Sequence, residues 1–153
     1  MDAFTLLKED HKKVSGLFEK LEDTTERAAK TREEVFAQLK LELDVHAHIE
    51  ETILYPELKR IAETREITFE GYEEHKVVKT LLGEMAAMSV ESEVWTAKLK
   101  VLKENVEHHV EEEEGEMFKD AREALTAERV QELGTRMEEE KKAQQQKLKA
   151  AGA

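Results

Sequence analysis

Histidine and glutamate recur in this chain at positions where an amphipathic helix keeps its apolar residues. The stripe Phe36, Leu39, Leu43, His46, Glu50, Ile53 advances in steps of three and four, the rhythm of one helical face. Burying an unpaired carboxylate costs several kcal/mol, so a fold that places Glu50 on such a face must supply something to meet its charge. The same pattern returns in Trp95, Leu99, Leu102, Val106, His109, Glu113, Met117. Any fold must therefore bury two His-x-x-x-Glu pairs among apolar residues.

Two further stripes each carry one histidine. Phe4, Leu7, His11, Val14, Phe18 and Leu21 form the first, opening after Asp2 as N-cap, and Gly71, His75, Val78, Leu82 and Met85 form the other, in a helix read as starting near Thr68. EDTTERAAK reads as a turn, Thr31 to Glu34 (TREE) as a capping box opening the second helix, and MSVES as the connection before the fourth. Pro56 is expected to bend or end the second helix near its last turns. Thr126 reads as a further N-cap, followed by a stripe of Val130, Leu133 and Met137 that decays into a polar, partly frayed tail. Four amphipathic helices on short turns predict an all-α, up-down-up-down four-helix bundle over residues 1–125, with a C-terminal helical extension over 126–153.

The halves of the chain resemble each other. EDHKKV answers EEHKVV, and VHAHIEETILYPEL answers EHHVEEEEGEMFKD, with 35 positions from His11 to His46 and 34 from His75 to His109. Each half thus supplies one lone histidine and one His-x-x-x-Glu pair. Residues i and i+4 share a helical face, so His46 with Glu50, and His109 with Glu113, each offer an imidazole and a carboxylate to one point. Four imidazoles and two carboxylates suit two borderline first-row metal ions, with the carboxylates bridging and two histidines on each ion. A bridging oxide or hydroxide leaves open positions for dioxygen, peroxide or nitric oxide.

Other metal motifs are missing. No histidine has a glutamate three residues before it, which excludes the Glu-x-x-His pairs of ferritin-like bundles and the HExxH zinc motif, and there is no EF-hand calcium loop. With no cysteine, thiolate sites and disulfides are excluded. A net charge of −12 argues against nucleic acid and anionic membranes and favours cations. The acidic N-terminal stretch and the lack of a long apolar run predict a cytoplasmic protein. His48 and His108 fall off the stripes and are expected to face outward or touch a neighbour. The run Glu111 to Glu116 reads as a solvated face apart from Glu113, and Tyr72 as a core tyrosine with its hydroxyl at the edge rather than a lining of the site.

DHKKVSGLF, HAHIEETILYP, EEHKVVKTLL and HHVEEEEGEMF resemble the hemerythrin-like, or HHE cation-binding, family over Phe4 to Leu125. The resemblance implies a four-helix bundle with a non-haem di-iron centre, its ligand positions falling on His11, His46, Glu50, His75, His109 and Glu113. It implies binding of small ligands (dioxygen, hydrogen peroxide, nitric oxide), with peroxide decomposition as one reaction. The alternative is a non-catalytic module for oxygen or iron binding, sensing or storage. Manganese or zinc can substitute for iron on affinity grounds. Two departures stand out. Lys79 occupies the position where oxygen-carrying hemerythrins have a further histidine, which removes a five-histidine site and tells against reversible oxygen carriage. GEMFKD has no proline answering Pro56, which predicts a straighter fourth helix.

Overall fold

A computed structural model of the chain describes residues 1–152. The described residues are all-helical apart from the turns that join the helices, in the order α1 (Ala3–Glu22), α2 (Ala29–Ile49), a π-helical turn (Glu50–Leu54), α3 (Tyr55–Leu58), α4 (Ala62–Ala86), α5 (Glu93–Glu112), a second π-helical turn (Glu113–Met117), α6 (Phe118–Ala124) and α7 (Ala127–Gly152). α1 packs on α2, α4 on α5, and α7 against α1 and α2. No helix among the described residues is long and apolar enough to cross a membrane.

The stripes read from the sequence are the buried faces, and they form two apolar clusters stacked along the helices. One holds Phe4, Leu7, Leu54, Tyr55, Met117 and Phe118, and the other Val14, Phe18, Leu39, Leu43, Leu82, Trp95 and Leu102. His11 falls between Leu7 and Val14 on α1, so the polar residues of the seam occupy the level between the clusters. At the outer end of the second cluster, buried Arg32 donates from Nη1 to the Val90 carbonyl at 2.8 Å and from Nε to Thr24 Oγ1 at 2.9 Å, joining two connections of the chain. Its five donors spread over several acceptors explain how a guanidinium sits there without a carboxylate partner.

Helix boundaries follow local chemistry with two differences from expectation. Asp2 caps α1, its Oδ1 accepting from the Thr5 amide at 2.8 Å, and Thr126 caps α7 through Oγ1 and the Arg129 amide at 3.1 Å. α2, however, begins at Ala29 without a side-chain cap, so Thr31 lies inside its first turn and the capping box does not form. α4 begins at Ala62 rather than near Thr68, because Thr64 and Thr68 are buried with their hydroxyls donating to the Leu58 and Thr64 carbonyls, both at 2.6 Å. α7, the helical extension expected after Thr126, runs from Ala127 to Gly152.

Each His-x-x-x-Glu segment runs into a π-helical turn that starts at its glutamate. The Tyr55 amide donates to the Glu50 carbonyl and the Phe118 amide to the Glu113 carbonyl, each closing a turn one residue wider than α. Pro56 lies just beyond the first of these turns, and the helix ends at Leu58. The second segment widens in the same way without a proline, so its absence does not leave that helix regular. The extra residue in each turn belongs to the repeat, not to Pro56.

Candidate metal centre

His11 comes from α1, His46 from the last turn of α2, His75 from α4 and His109 from the last turn of α5; Glu50 and Glu113 each open a π-helical turn. All six side chains are buried. They form two trios of closely spaced donor atoms, His11 with His46 and Glu113, and His75 with His109 and Glu50, the atoms of each trio lying within 4.8 Å of one another. Each histidine pair comes from one half of the chain, and the carboxylate that joins it comes from the other half.

Both carboxylates also reach across. Glu113 Oε1 lies 3.1 Å from His11 Nε2, while its Oε2 lies 3.2 Å from His109 Nε2. Glu50 Oε1 lies 3.0 Å from His75 Nε2 and 3.3 Å from His46 Nε2. The two glutamates therefore stand between the histidine pairs, in the place of bridging groups.

Every imidazole is held from behind by a second carboxylate at Nδ1. His11 donates to Glu114 at 2.6 Å, His46 to Asp10 at 3.0 Å, His75 to Glu51 at 2.9 Å and His109 to Glu74 at 2.6 Å. Such backing fixes the tautomer with Nε2 free to face inward and raises its basicity as a ligand. These residues precede the lone histidines (Asp10, Glu74) or follow the glutamates (Glu51, Glu114) in both repeats. Adjacency to the seam was the signal that could have found them. Glu114 is exposed, as expected of the run Glu111 to Glu116, yet its carboxylate turns to His11.

Tyr55 is the central residue that periodicity missed. Fully buried, it donates from its hydroxyl to Glu113 Oε2 at 2.7 Å, lies 3.3 Å from Glu50 Oε1, and stacks on the His75 ring at 5.3 Å. Gly71 makes this possible: a Cβ there would stand 2.7 Å from the Tyr55 hydroxyl oxygen. Phe118 occupies the equivalent place in the second repeat, five residues after its glutamate, and stacks on His11 at 6.2 Å without a hydroxyl. Tyr72 packs edge-on against Tyr55 at 5.1 Å, outside the donor set. Burial and the neighbouring carboxylates Glu113 and Glu50 push the Tyr55 phenol well above its usual pKa, so it remains a donor.

Burial opposes charge on the imidazoles, yet the carboxylates prevail. His46 and His109 are raised well above the ordinary histidine value, chiefly by the charges of Glu50 and Glu113 respectively, and His75 is raised by its bonds to Glu50 and Glu51. Burial and the Glu113 charge push Glu50 up, but His46 and its other neighbours leave it lowered; Glu113, despite burial, is held well below the carboxylate range by His109. Without a cation, the raised His46, His75 and His109 favour the protonated form beside the two carboxylates.

The donor set nevertheless fits a metal better than it fits itself. Glu50 Oε2 is buried without a hydrogen-bond partner, and buried His46 Nε2 and His109 Nε2 meet carboxylate oxygens at 3.3 and 3.2 Å without the geometry of a hydrogen bond. Unpaired buried polar atoms are rare in folded proteins and call for a ligand, and oxygen and imidazole donors suit a divalent first-row ion. Against the same histidines lies a cavity of about 30 Å³, walled by Val14, Leu43, Val78, Leu82 and Val106, with Asp44 and Lys79 also lining it. Lys79 does not turn inward as a ligand: its ammonium is half exposed and lies 3.5 Å from Glu51. His48 bonds to Glu140 of α7 at 2.8 Å, and exposed His108 lies 2.8 Å from Glu112. Glu74, His108 and Glu112 gather in a more exposed group behind His109.

The Hemerythrin HHE cation binding domain family matches residues 2–121. A DNA nickase from Nostoc sp. is 29% identical over 158 residues, aligned across 100% of this chain but 43% of its own length, so the chain spans less than half of that relative. The crystal structure of a Hemerythrin HHE cation binding domain-containing protein from Mycobacterium kansasii, an Rv2633c homolog, superposes with a TM-score of 0.84 at 25% identity, covering 96% of this chain and 89% of that one.

Proposed function

We propose that this chain, which belongs to the Hemerythrin HHE cation binding domain family, is a non-haem di-iron protein that binds or reacts with small ligands such as dioxygen, hydrogen peroxide or nitric oxide. The observation that carries the reading is the set of buried donor atoms of His46, His109 and Glu50 left without a hydrogen bond among inward-facing imidazoles. His11, His46, His75 and His109 would hold two ions, with Glu50 and Glu113 between them, inside an up-down-up-down bundle. Iron held there would supply the electron exchange and the position where a ligand binds. The chain's own residues do the rest: the four outer carboxylates orient the imidazoles, and Tyr55 holds a proton against Glu113 Oε2.

Cavity size supports a small ligand. A cavity of about 30 Å³ beside the histidines admits one or two water-sized molecules, and its valine and leucine walls favour uncharged ones. The reaction to test first is disproportionation of hydrogen peroxide, in which two molecules give one dioxygen and two waters.

The test is iron content after anaerobic ferrous loading and removal of loose metal, followed by oxygen evolution from peroxide. Two irons per chain, lost on Glu50→Ala, is the expected result. Retention of no iron by the native chain would overturn the reading. Two irons without turnover would favour the alternative, a module that binds, senses or stores oxygen or iron. A different reading, strand cleavage by a metal pair, takes its support from the nickase relative. A net charge of −12 weighs against it, and the nicking of supercoiled plasmid by metal-loaded protein decides it.

A further inference from the structure

The two trios differ in what stands behind them, and the difference comes from α7. Asp10 is 3% exposed. One of its oxygens, Oδ2, accepts from His46 Nδ1 at 3.0 Å, and the other, Oδ1, accepts from the Lys141 ammonium of α7. Glu74, which plays the same part for His109, has no lysine: its other neighbours are His108 and Glu112, toward solvent. The lysine nearest the remaining outer carboxylates, Lys79, is half exposed at 3.5 Å from Glu51. Among the described residues, the Asp10 link alone runs from a partly buried lysine of another helix through a buried carboxylate to a histidine of the centre.

α7 is placed for this contact by a close crossing. A Cβ on Gly134 would fall 2.2 Å from the Met1 carbonyl oxygen and 2.7 Å from the Ala3 amide nitrogen, so glycine lets α7 lie directly on the start of α1. Val130, Leu133 and Met137 bury the apolar side of that crossing. Seven residues beyond Gly134, two helical turns along the same face, Lys141 comes level with Asp10, which itself lies seven residues beyond Ala3. Glu140 bonds to His48 of α2 beside it at 2.8 Å. The family match ends at residue 121, before α7 begins.

We infer that Lys141 is a positioning residue for one metal position only: through Asp10 it fixes His46, and so makes the trio of His11, His46 and Glu113 depend on this lysine, whereas α7 meets the trio of His75, His109 and Glu50 only by packing on the π-helical turn that carries Glu50. The inference rests on the di-metal reading of the site. Without Lys141, Asp10 keeps a buried carboxylate with one partner fewer and is free to turn from His46 toward solvent. Residues that back a metal-bound histidine in this way commonly change metal affinity by about 10- to 100-fold.

The experiment is an anaerobic Co(II) titration of the full chain, read by the visible absorption of bound cobalt and by competition with a chelator. Thermal midpoints of the metal-free proteins are measured alongside. Native protein should take two equivalents. Lys141→Met should weaken one equivalent about tenfold or more and leave the other unchanged, with Lys141→Arg restoring most of the loss. In a His75→Ala background, which leaves the first trio, Lys141→Met should weaken the single remaining ion; in a His11→Ala background it should have no effect. Two native-affinity equivalents in Lys141→Met would overturn the inference and leave the metal site standing. Equal weakening of both, tracking a lowered thermal midpoint, would overturn it as well, since that is a purely structural role. No cobalt bound by the native chain would overturn the di-metal reading and the inference together.

Discussion

The two halves of the centre are built from the same repeat and end up in different surroundings. Inside, they match: a histidine pair with ring centroids 5.0 Å apart in one and 4.9 Å in the other, joined by the glutamate of the opposite half. Outside, they diverge. The first trio is backed by buried Asp10 under α7 and by Phe118; the second by half-buried Glu74 and by Tyr55, whose hydroxyl reaches between the carboxylates. Duplication sets the donors, and later contacts with the fifth long helix and one hydroxyl make the two positions inequivalent. Basicity, order and solvent access of each position are set by those outer contacts.

The largest effect should come from removing what the halves share. Glu113 faces His11 through one oxygen and His109 through the other, so Glu113→Ala should release both ions, whereas His11→Ala and His75→Ala should each release one. Elemental analysis of loaded variants checks this, and one ion retained by Glu113→Ala would show that the halves are independent. Next in size is Gly71→Ala, which drives a methyl group against the Tyr55 hydroxyl and should cost about 1–3 kcal/mol in urea unfolding. Gly115→Ala, in open space within the π-helical turn of the other repeat, should be neutral or slightly stabilising; a cost equal to that of Gly71→Ala would remove Tyr55 from the comparison.

A pH effect follows from the charge state of the metal-free centre. Raised histidines stabilise the fold fully below their ordinary pKa of 6.5 and lose that contribution as pH rises through their folded values. Lowered carboxylates contribute above their ordinary 4.5 and lose it as pH falls through their folded values. The metal-free protein should therefore weaken as pH climbs above about 6.5, and the same deprotonation frees the donors for metal. The gain in melting temperature on adding Fe(II) anaerobically should grow with pH over that range, and a gain that is flat or falling would contradict proton displacement. The smallest effect belongs to His48→Ala, which removes a half-exposed pair with Glu140 worth about 0–1 kcal/mol and should leave both ions bound.

Much of this was legible in the residues because period and chemistry agreed. A three-and-four rhythm names one face of a helix, and six polar residues on four such faces had to meet if those faces formed one core; His11, His46, Glu50, His75, His109 and Glu113 do meet. Off-stripe His48 and His108 are turned away for the same angular reason. Asp10, Glu51, Glu74 and Glu114 were harder because they lie one residue from a seam position, about 100° round the helix, where periodicity assigns solvent. They bond instead to a histidine of a neighbouring helix. Tyr55 escaped for a different reason: the π-helical turn adds a residue to the helix and shifts the stripe, so a count in threes and fours runs past it.

What the sequence determined by itself was the six inward-facing histidines and glutamates, their distribution over the two repeats and the need for something to meet the buried carboxylates, since local periodicity and the cost of burying carboxylates both act within one helix at a time. What only the tertiary structure decided was pairing across helices. Each histidine pair takes its carboxylate from the other half, Gly71 gives room to a tyrosine sixteen positions earlier, and Gly134 lets α7 come close enough for Lys141 to reach Asp10. Those contacts depend on distances between backbones that are far apart along the chain, and packing of the whole core fixes such distances where no local pattern can.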